Sequence, residues 1–169
     1  MRLAPFTRRL LATDVSTGMI AIAREKLAAG LAAGQVPQLS FGVADADADA
    51  DAGADAAVAG QGEYDAVLAF NVLHLVTDLD RALELAMQAL RPGGLLISKT
   101  ACIVEMNPLI RHLALPLMRA VGKAPHVLCF DAAALQSAIT RQGMDIVLVE
   151  RHGTRGKDFR VFILARKPA

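Results

Sequence analysis

The stretch that decides the fold is residues 64–100, YDAVLAFNVLHLVTDLDRALELAMQALRPGGLLISKT. It opens on the run Tyr64 to Phe70, apolar except for Asp65, which predicts a strand covered on both faces. Thr77 and Asp80 have the spacing of a capping box, so we expect a helix to begin there. The apolar residues that follow recur at helical spacing and are Leu79, Ala82, Leu83, Ala86, Met87 and Leu90. The first half of the stretch therefore predicts a buried strand and an amphipathic helix.

A second strand closes the stretch. The run Pro92-Gly93-Gly94 is expected to end the helix, because proline and glycine interrupt helical structure. Leu95 to Lys99 then supplies another apolar strand. Strands that alternate with helices in this way favour parallel pairing with right-handed crossovers.

The alternation continues on both sides of this stretch. Arg9 to Thr13 and Gln38 to Ala44 predict two upstream strands, and Ser16 is expected to cap the helix between them. The apolar stripe of that helix is Met19, Ile20, Ala23, Leu27 and Leu31. Downstream, helices are predicted to begin at Asn107-Pro108 and at Asp131.

The C-terminal segment predicts a hairpin. Met144 to Glu150 and Phe159 to Ala165 are two apolar runs joined by a polar loop of hairpin length. The predicted fold class is therefore α/β, with helix, sheet and helix in three layers. The sheet is expected to be mostly parallel and to end in an antiparallel hairpin.

Length and composition limit the classes of function. The 169 residues predict a single domain, 1–169, with one core. The net charge is +1 with no run of Lys or Arg, so a nucleic-acid partner is not expected. Cys102 and Cys129 lack metal-ligand spacing, which argues against a metal site and favours reduced thiols in the cytoplasm. Thr13 and Asp14 interrupt the apolar N-terminal stretch, so neither a signal peptide nor a membrane partner is expected.

The segment from Asp45 to Gly62 is a low-complexity run of Asp and Ala. Its alternation imitates a strand, but Asp and Ala are poor strand formers and cannot build a buried face. A calcium-binding loop is disfavoured, because Val58 stands where the closing glutamate is needed. The segment is predicted to be a solvated loop.

Three motifs carry a resemblance to a known family: LLATDVSTGMIAIAREKL at residues 10–27, FGVADA at residues 41–46, and the stretch 64–100. Their order and spacing resemble class I S-adenosylmethionine (SAM)-dependent methyltransferases of the small bacterial type 11/12. The resemblance covers nearly the whole chain. It implies a Rossmann-like methyltransferase fold, SAM as the cofactor, and methyl transfer to a small organic acceptor at oxygen, carbon or nitrogen.

The resemblance implies a ribose and adenine site near the first two strands. A carboxylate at the end of a strand can accept hydrogen bonds from both ribose hydroxyls, and Asp14 has this position. Alternatively, Asp14 only complements the dipole of the following helix. Val15 and Met19 would flank the adenine ring, although Met19 also fits the apolar stripe as a core residue. Asp45 and Ala46 would contact the adenine, with Asp47 as a rival carboxylate in the same loop.

The resemblance also implies a crevice at the end of the third strand. Asn71 and Leu73 would line the cofactor there, since ligands of open α/β sheets gather at the carboxyl ends of the strands. His74 is a candidate base toward a hydroxyl substrate, because its ordinary pKa lies near neutrality. A purely structural role for His74 is the alternative.

One part of the family pattern is missing. Met1 to Thr13 contains no strand followed by a glycine-rich turn, so the first, central strand of the family sheet is expected to be absent. That strand would lie between the strands that end at Asp14 and Asn71. We therefore expect Met1 to be an internal start or a fragment end, and SAM binding to be impaired. The alternatives are a non-catalytic remnant or interaction module with exposed sheet edges, and half of an NAD-binding dehydrogenase.

Overall fold

The computed structural model describes residues 3–31, 38–46, 62–102, 104, 127–153 and 159–169. The chain divides into two compact units, Met1–Ala59 and Gly60–Ala169. The described strands form one sheet in each unit, and no described pairing joins the two sheets. The helix predicted from Asn107-Pro108 and most of the Asp/Ala loop, residues 47–61, lie outside the described residues.

The first unit is a small parallel β-α-β arrangement. After a short 3-10 helix, Ala4–Phe6, the chain forms β1, Leu10–Asp14, then α1, Thr17–Leu31, and β2, Leu39–Val43. β1 and β2 pair in parallel, from Leu10 opposite Leu39 to Asp14 opposite Val43. Both predicted strands and the helix between them are confirmed.

The second unit has a four-stranded mixed sheet with two described helices. Its elements are β3 (Tyr64–Phe70), α2 (Leu79–Ala89), β4 (Leu90–Thr100), α3 (Ala132–Arg141), β5 (Asp145–Gly153) and β6 (Phe159–Arg166). The strand order is β3-β4-β6-β5. β3 and β4 are parallel, whereas β6 is antiparallel to both β4 and β5. The α/β class and the closing antiparallel hairpin are confirmed.

The cap of α2 lies one residue later than the sequence predicts. Asp78, with φ of −130°, accepts a hydrogen bond from the Arg81 amide through its carboxylate, at 2.9 Å. Thr77 is therefore not the cap. The local reason is that aspartate caps as well as threonine does, and Asp78 has the extended backbone that the position needs. Asp80 then lies in the first turn and pairs with Arg141 of α3 at 2.8 Å.

β4 begins five residues before the predicted start. α2 ends at Ala89, and the chain enters the strand at Leu90 without a separate loop. Gly93 adopts a φ of +76° and donates its amide to the Lys167 carbonyl at 3.0 Å. The helix thus ends before the Pro-Gly-Gly run, and Leu90, predicted as the last member of the helical stripe, is a strand residue. The run itself forms an irregular part of β4 that is held by the C-terminal segment.

The core of the second unit lies on one face of its sheet, between the strands and the helices α2 and α3. Buried members of this cluster are Leu83, Leu90, Leu96, Leu135, Ile139, Met144, Val161, Ile163 and Ala165. The predicted stripe of α2 contributes to it, with Leu83 fully buried. Among the described residues, no helix is long and apolar enough to cross a lipid bilayer.

Candidate active site

Asp14 is held at the carboxyl end of β1 by a local hydrogen bond. Its Oδ1 accepts the Ser16 amide at 2.8 Å, and Ser16 Oγ in turn accepts the Met19 amide at 3.2 Å. This confirms Ser16 as the N-cap of α1. The Asp14 side chain is exposed, and no described residue donates to its Oδ2. One carboxylate oxygen therefore orients the group, and the other is open to a ligand.

Two apolar side chains lie close to Asp14 in sequence and are exposed. Val15 is 62% exposed and Met19 is 55% exposed. The expectation that Met19 belongs to the core stripe is therefore wrong. Ile20, the next member of the predicted stripe, is 4% exposed and is buried as predicted. Successive side chains are turned by about 100° around a helix, so Met19 and Ile20 point in different directions.

The loop after β2 lies beside Asp14. Because Asp14 pairs with Val43, the residues that follow Val43 begin next to the end of β1. The Ala44 amide donates to the Asp14 carbonyl at 3.1 Å and extends this pairing. Asp45 is exposed and Ala46 is half-buried. Asp14, Val15, Asp45 and Ala46 are thus brought to one edge of the first sheet, whereas Asp47 lies outside the described residues.

Asn71 and Leu73 follow β3, in the second unit. Asn71 has a φ of +55°, an unusual conformation for a residue other than glycine. Its amide donates to the Lys99 carbonyl at 2.8 Å, which fixes the loop to β4. Leu73 is 3% exposed and packs in the core of this unit. Leu73 therefore anchors the loop, and its contact with a cofactor stays a prediction.

His74 is half-buried, and its Nδ1 is enclosed, with no hydrogen-bond partner among the residues that the structure describes. Its carbonyl accepts the Leu128 amide at 2.9 Å, which ties this loop to the segment before α3. Burial lowers the pKa of the imidazole below its ordinary value of 6.5, and the charge of Arg160 lowers it further. The ring is therefore neutral at pH 7 and can accept a proton.

Sequence reasoning missed three polar residues of the second unit. Ser98 and Thr100 are fully buried on one face of β4, and their hydroxyls have no hydrogen-bond partner in the described part of the chain. Arg160, on β6, is close enough to affect the protonation of His74. The position of Arg160 near His74 can be predicted only if the antiparallel register of β6 with β4 is known. Thr100 pairs with Val161, so Arg160 falls beyond the carboxyl end of β4.

A family model described as "Methyltransferase domain" matches residues 2–96, more than half of the chain. The chain belongs to this methyltransferase family. By this resemblance it is a SAM-dependent methyltransferase, and SAM is the implied cofactor. No curated protein sequence matches the chain.

Solved structures confirm the fold. A SAM-dependent methyltransferase from Mesorhizobium loti is 22% identical, with 95% of this chain and 81% of that chain covered and a TM-score of 0.70. YcgJ from Bacillus subtilis is 12% identical, with 99% and 86% covered and a TM-score of 0.70. The [4+2]-cyclase SpnF is 16% identical, with 99% and 69% covered and a TM-score of 0.69. SpnF shows that the fold by itself does not fix the reaction.

Proposed function

We propose that this chain transfers the methyl group of SAM to a small organic acceptor and that Asp14 binds the ribose of the cofactor. The observation that carries the proposal is the fixed and exposed carboxylate at the carboxyl end of β1. A carboxylate in this position can accept hydrogen bonds from vicinal hydroxyls. SAM supplies an already activated methyl group, so the protein mainly needs to position the two reactants.

The residues around Asp14 fit an adenosine. Val15 and Met19 expose apolar surface that can cover a flat aromatic ring. Asp45 and Ala46 follow the neighbouring strand, where a carboxylate and the backbone amides can meet the polar edge of adenine. Asn71 is proposed to contact the cofactor from the end of β3. The residues of the first unit are therefore proposed to recognise the nucleoside, and the contact of Asn71 is a separate proposal for the second unit.

We further propose that affinity for SAM is low in this chain. Residues 1–13 contain no glycine, and the described part of that segment forms the 3-10 helix Ala4–Phe6 and most of β1. They thus provide no glycine-rich turn to hold the amino-acid end of the cofactor. Calorimetry should give a dissociation constant well above the micromolar range, and a micromolar value would contradict this part of the proposal.

Limited proteolysis tests the choice of cofactor. Arg24 and Lys26 are exposed trypsin sites on α1, the helix that follows Asp14. Millimolar SAM or S-adenosylhomocysteine should slow cleavage there, and millimolar NAD should not. Equal protection by NAD would favour a dinucleotide-binding protein and contradict the proposal.

A second candidate function is an interaction module that pairs through a sheet edge. The observation that favours it is β3, whose described pairing is with β4 alone. Leu68 and Phe70 on this strand are 37% and 49% exposed. Exposed apolar edge strands tend to pair with other chains. Concentration-dependent association that Leu68→Lys abolishes, in a protein that does not bind SAM, would favour this function over methyl transfer.

We further propose that the protein is cytoplasmic and acts on a small molecule. In that compartment Cys102 and Cys129 are expected to be thiols. Cys102 is buried and Cys129 is exposed, and the structure has no disulfide between them. Thiol titration of protein purified without reductant should find two thiols per chain, and a disulfide-linked form would contradict this location.

A further inference from the structure

β5 is an outer strand of the sheet in the second unit, and its described pairing is with β6 alone. Every residue of this strand except Ile146 is exposed. The middle of the strand is apolar, and Val147, Leu148 and Val149 are 49%, 41% and 38% exposed. The outer side of β5 therefore presents backbone donors and acceptors beside exposed apolar side chains.

β5 has few of the features that keep an edge strand from pairing. Such strands are usually short, or they contain proline, lysine or a bulge. β5 is nine residues long and contains neither proline nor lysine. Its described pairing with β6 has one irregularity, a register shift between Ile146 and Leu148, close to the start of the strand. From Leu148 to Gly153 the pairing with β6 is regular, so most of the outer edge can accept another strand.

The charges of β5 favour an antiparallel copy of the same strand. Asp145 begins the strand, whereas Arg151 and His152 lie near its end. A parallel copy in register would place each charged residue opposite its own kind, which destabilises a sheet. An antiparallel copy instead brings Asp145 of each chain to Arg151 and His152 of the other. The strand is therefore complementary in charge to itself in the antiparallel direction.

One antiparallel register suits these charges best. With the bulge counted as one position, a two-fold axis at Val149 places Leu148 opposite Glu150 and Asp145 opposite His152. An axis at Leu148 would instead place Asp145 opposite Glu150, and an axis at Glu150 would oppose two glutamates. Like charges directly opposite each other destabilise a strand pair. Among the registers that pair most of the strand, the axis at Val149 thus avoids this repulsion.

We propose that two copies of this chain associate through β5, antiparallel about a two-fold axis at Val149, so that their two four-stranded sheets become continuous. A two-fold contact is closed, because each chain uses the same edge, and association therefore ends at the dimer. One pair of strands buries less surface than a standard interface, so the dimer is weak. The proposal does not depend on the proposed methyl transfer.

Sedimentation equilibrium of the full chain from about 10 μM to about 1 mM tests the association. The average mass should rise from that of one chain toward that of two and no further. Val149→Lys places two ammonium groups beside each other at the axis and should abolish the rise. Leu68→Lys is the matched control and should leave the rise unchanged, because Leu68 is 37% exposed on β3, at the other end of the strand order.

The exposed charges of β5 give a second test that leaves its apolar residues intact. Asp145→Arg and Arg151→Glu should each raise the dissociation constant of the dimer about tenfold, because each brings like charges together at both ends of the strand pair. The double variant exchanges the two charges and should restore the dissociation constant to within about threefold of the wild-type value. A general loss of structure would not be reversed in this way.

Three results of sedimentation would overturn the proposal: the mass of a single chain throughout this range, growth beyond two chains, or a dimer that persists in Val149→Lys. Loss of association in Leu68→Lys alone would assign the contact to β3 and overturn it as well. A double charge variant that associates as weakly as either single variant would contradict the antiparallel direction. Restored association in that variant, with a dimer in Leu68→Lys, would support the proposal.

Discussion

Asp14 combines a structural and a proposed binding role in one carboxylate. Oδ1 closes the turn to Ser16, which starts α1, and Oδ2 is open to a ligand among the described residues. An amide at this position keeps an Oδ1 acceptor for the Ser16 amide but loses the negative charge. The two roles can therefore be separated by substitution.

We predict that Asp14→Asn weakens binding of S-adenosylhomocysteine about tenfold without lowering the unfolding temperature. A hydrogen bond to a charged group contributes about 1.5–3 kcal/mol, so exchanging the carboxylate for a neutral amide removes part of that energy. NMR titration measures the affinity and thermal unfolding measures the stability. Asp14→Ala is the companion variant and should also destabilise the start of α1. An unchanged affinity in Asp14→Asn would show that the charge of Asp14 does not contribute to binding of the ligand.

The lowered pKa of His74 leads to a prediction about how the stability of the protein depends on pH. Burial and then Arg160 lower its pKa in the folded protein below 6.5. The unfolded chain therefore binds this proton more readily, and protonation favours unfolding. The free energy of unfolding should be unaffected above about pH 7 and should fall as pH drops from 6.5 toward the lower folded pKa. Urea unfolding of His74→Gln should show a shallower fall over this range, and an identical pH profile would contradict the shift.

At the scale of elements, local sequence determines where the helices α2 and α3 begin. Asp78 and Asp131 accept amides three residues on, at 2.9 and 2.7 Å. Asp78→Ala should lower the free energy of unfolding by about 1 kcal/mol, whereas Asp78→Asn should change it little, because asparagine caps as well. Chemical denaturation of the pair measures this difference. An equal loss of stability in both variants would show that the negative charge of Asp78, and not its hydrogen bond with the Arg81 amide, stabilises the helix.

The start of β4 depends on a close approach of backbone atoms. A Cβ on Gly94 would lie 2.9 Å from the Arg91 carbonyl oxygen and 3.2 Å from the Tyr64 carbonyl oxygen. Gly93 has a φ of +76° but no atom within 4 Å of such a Cβ. We predict that Gly94→Ala destabilises the protein by about 1–3 kcal/mol, and that Gly93→Asn loses less than about 1 kcal/mol since asparagine tolerates this φ. Urea denaturation compares the two variants. An unchanged free energy of unfolding in Gly94→Ala would contradict this close approach of backbone atoms.

Sequence patterns predicted those elements that local residues define. β3 has the predicted bounds because its run has the polar neighbours Glu63 and Asn71. The stripe of α2 packs on the core as its spacing requires, with Ala82 and Leu83 buried and its other members partly buried. The early start of β4 was missed because it depends on Lys167, far along the chain. Arg160 was missed for a similar reason, since only the strand register places it. Met19 was misassigned because one helix has two apolar faces, and sequence spacing does not tell which face packs.

At the scale of the molecule, the described strands fall into two sheets, one in each compact unit. The ribose and adenine candidates Asp14, Val15, Met19, Asp45 and Ala46 belong to the first unit. Asn71, Leu73 and His74 belong to the second. The proposed contacts of the nucleoside therefore lie in the first unit, except for that of Asn71, and the candidates of each unit can be tested separately on the full chain.

The most direct test of the central claim is an NMR titration of the full ¹⁵N-labelled chain with S-adenosylhomocysteine up to millimolar concentration. NMR detects weak binding, so a low affinity does not hide the answer. The account predicts that the largest amide shifts are at Asp14, Val15 and Ser16, with smaller ones at Ala44 and Asp45. Shifts confined to other residues, or none up to the solubility of the ligand, would contradict the assignment of Asp14 to the ribose.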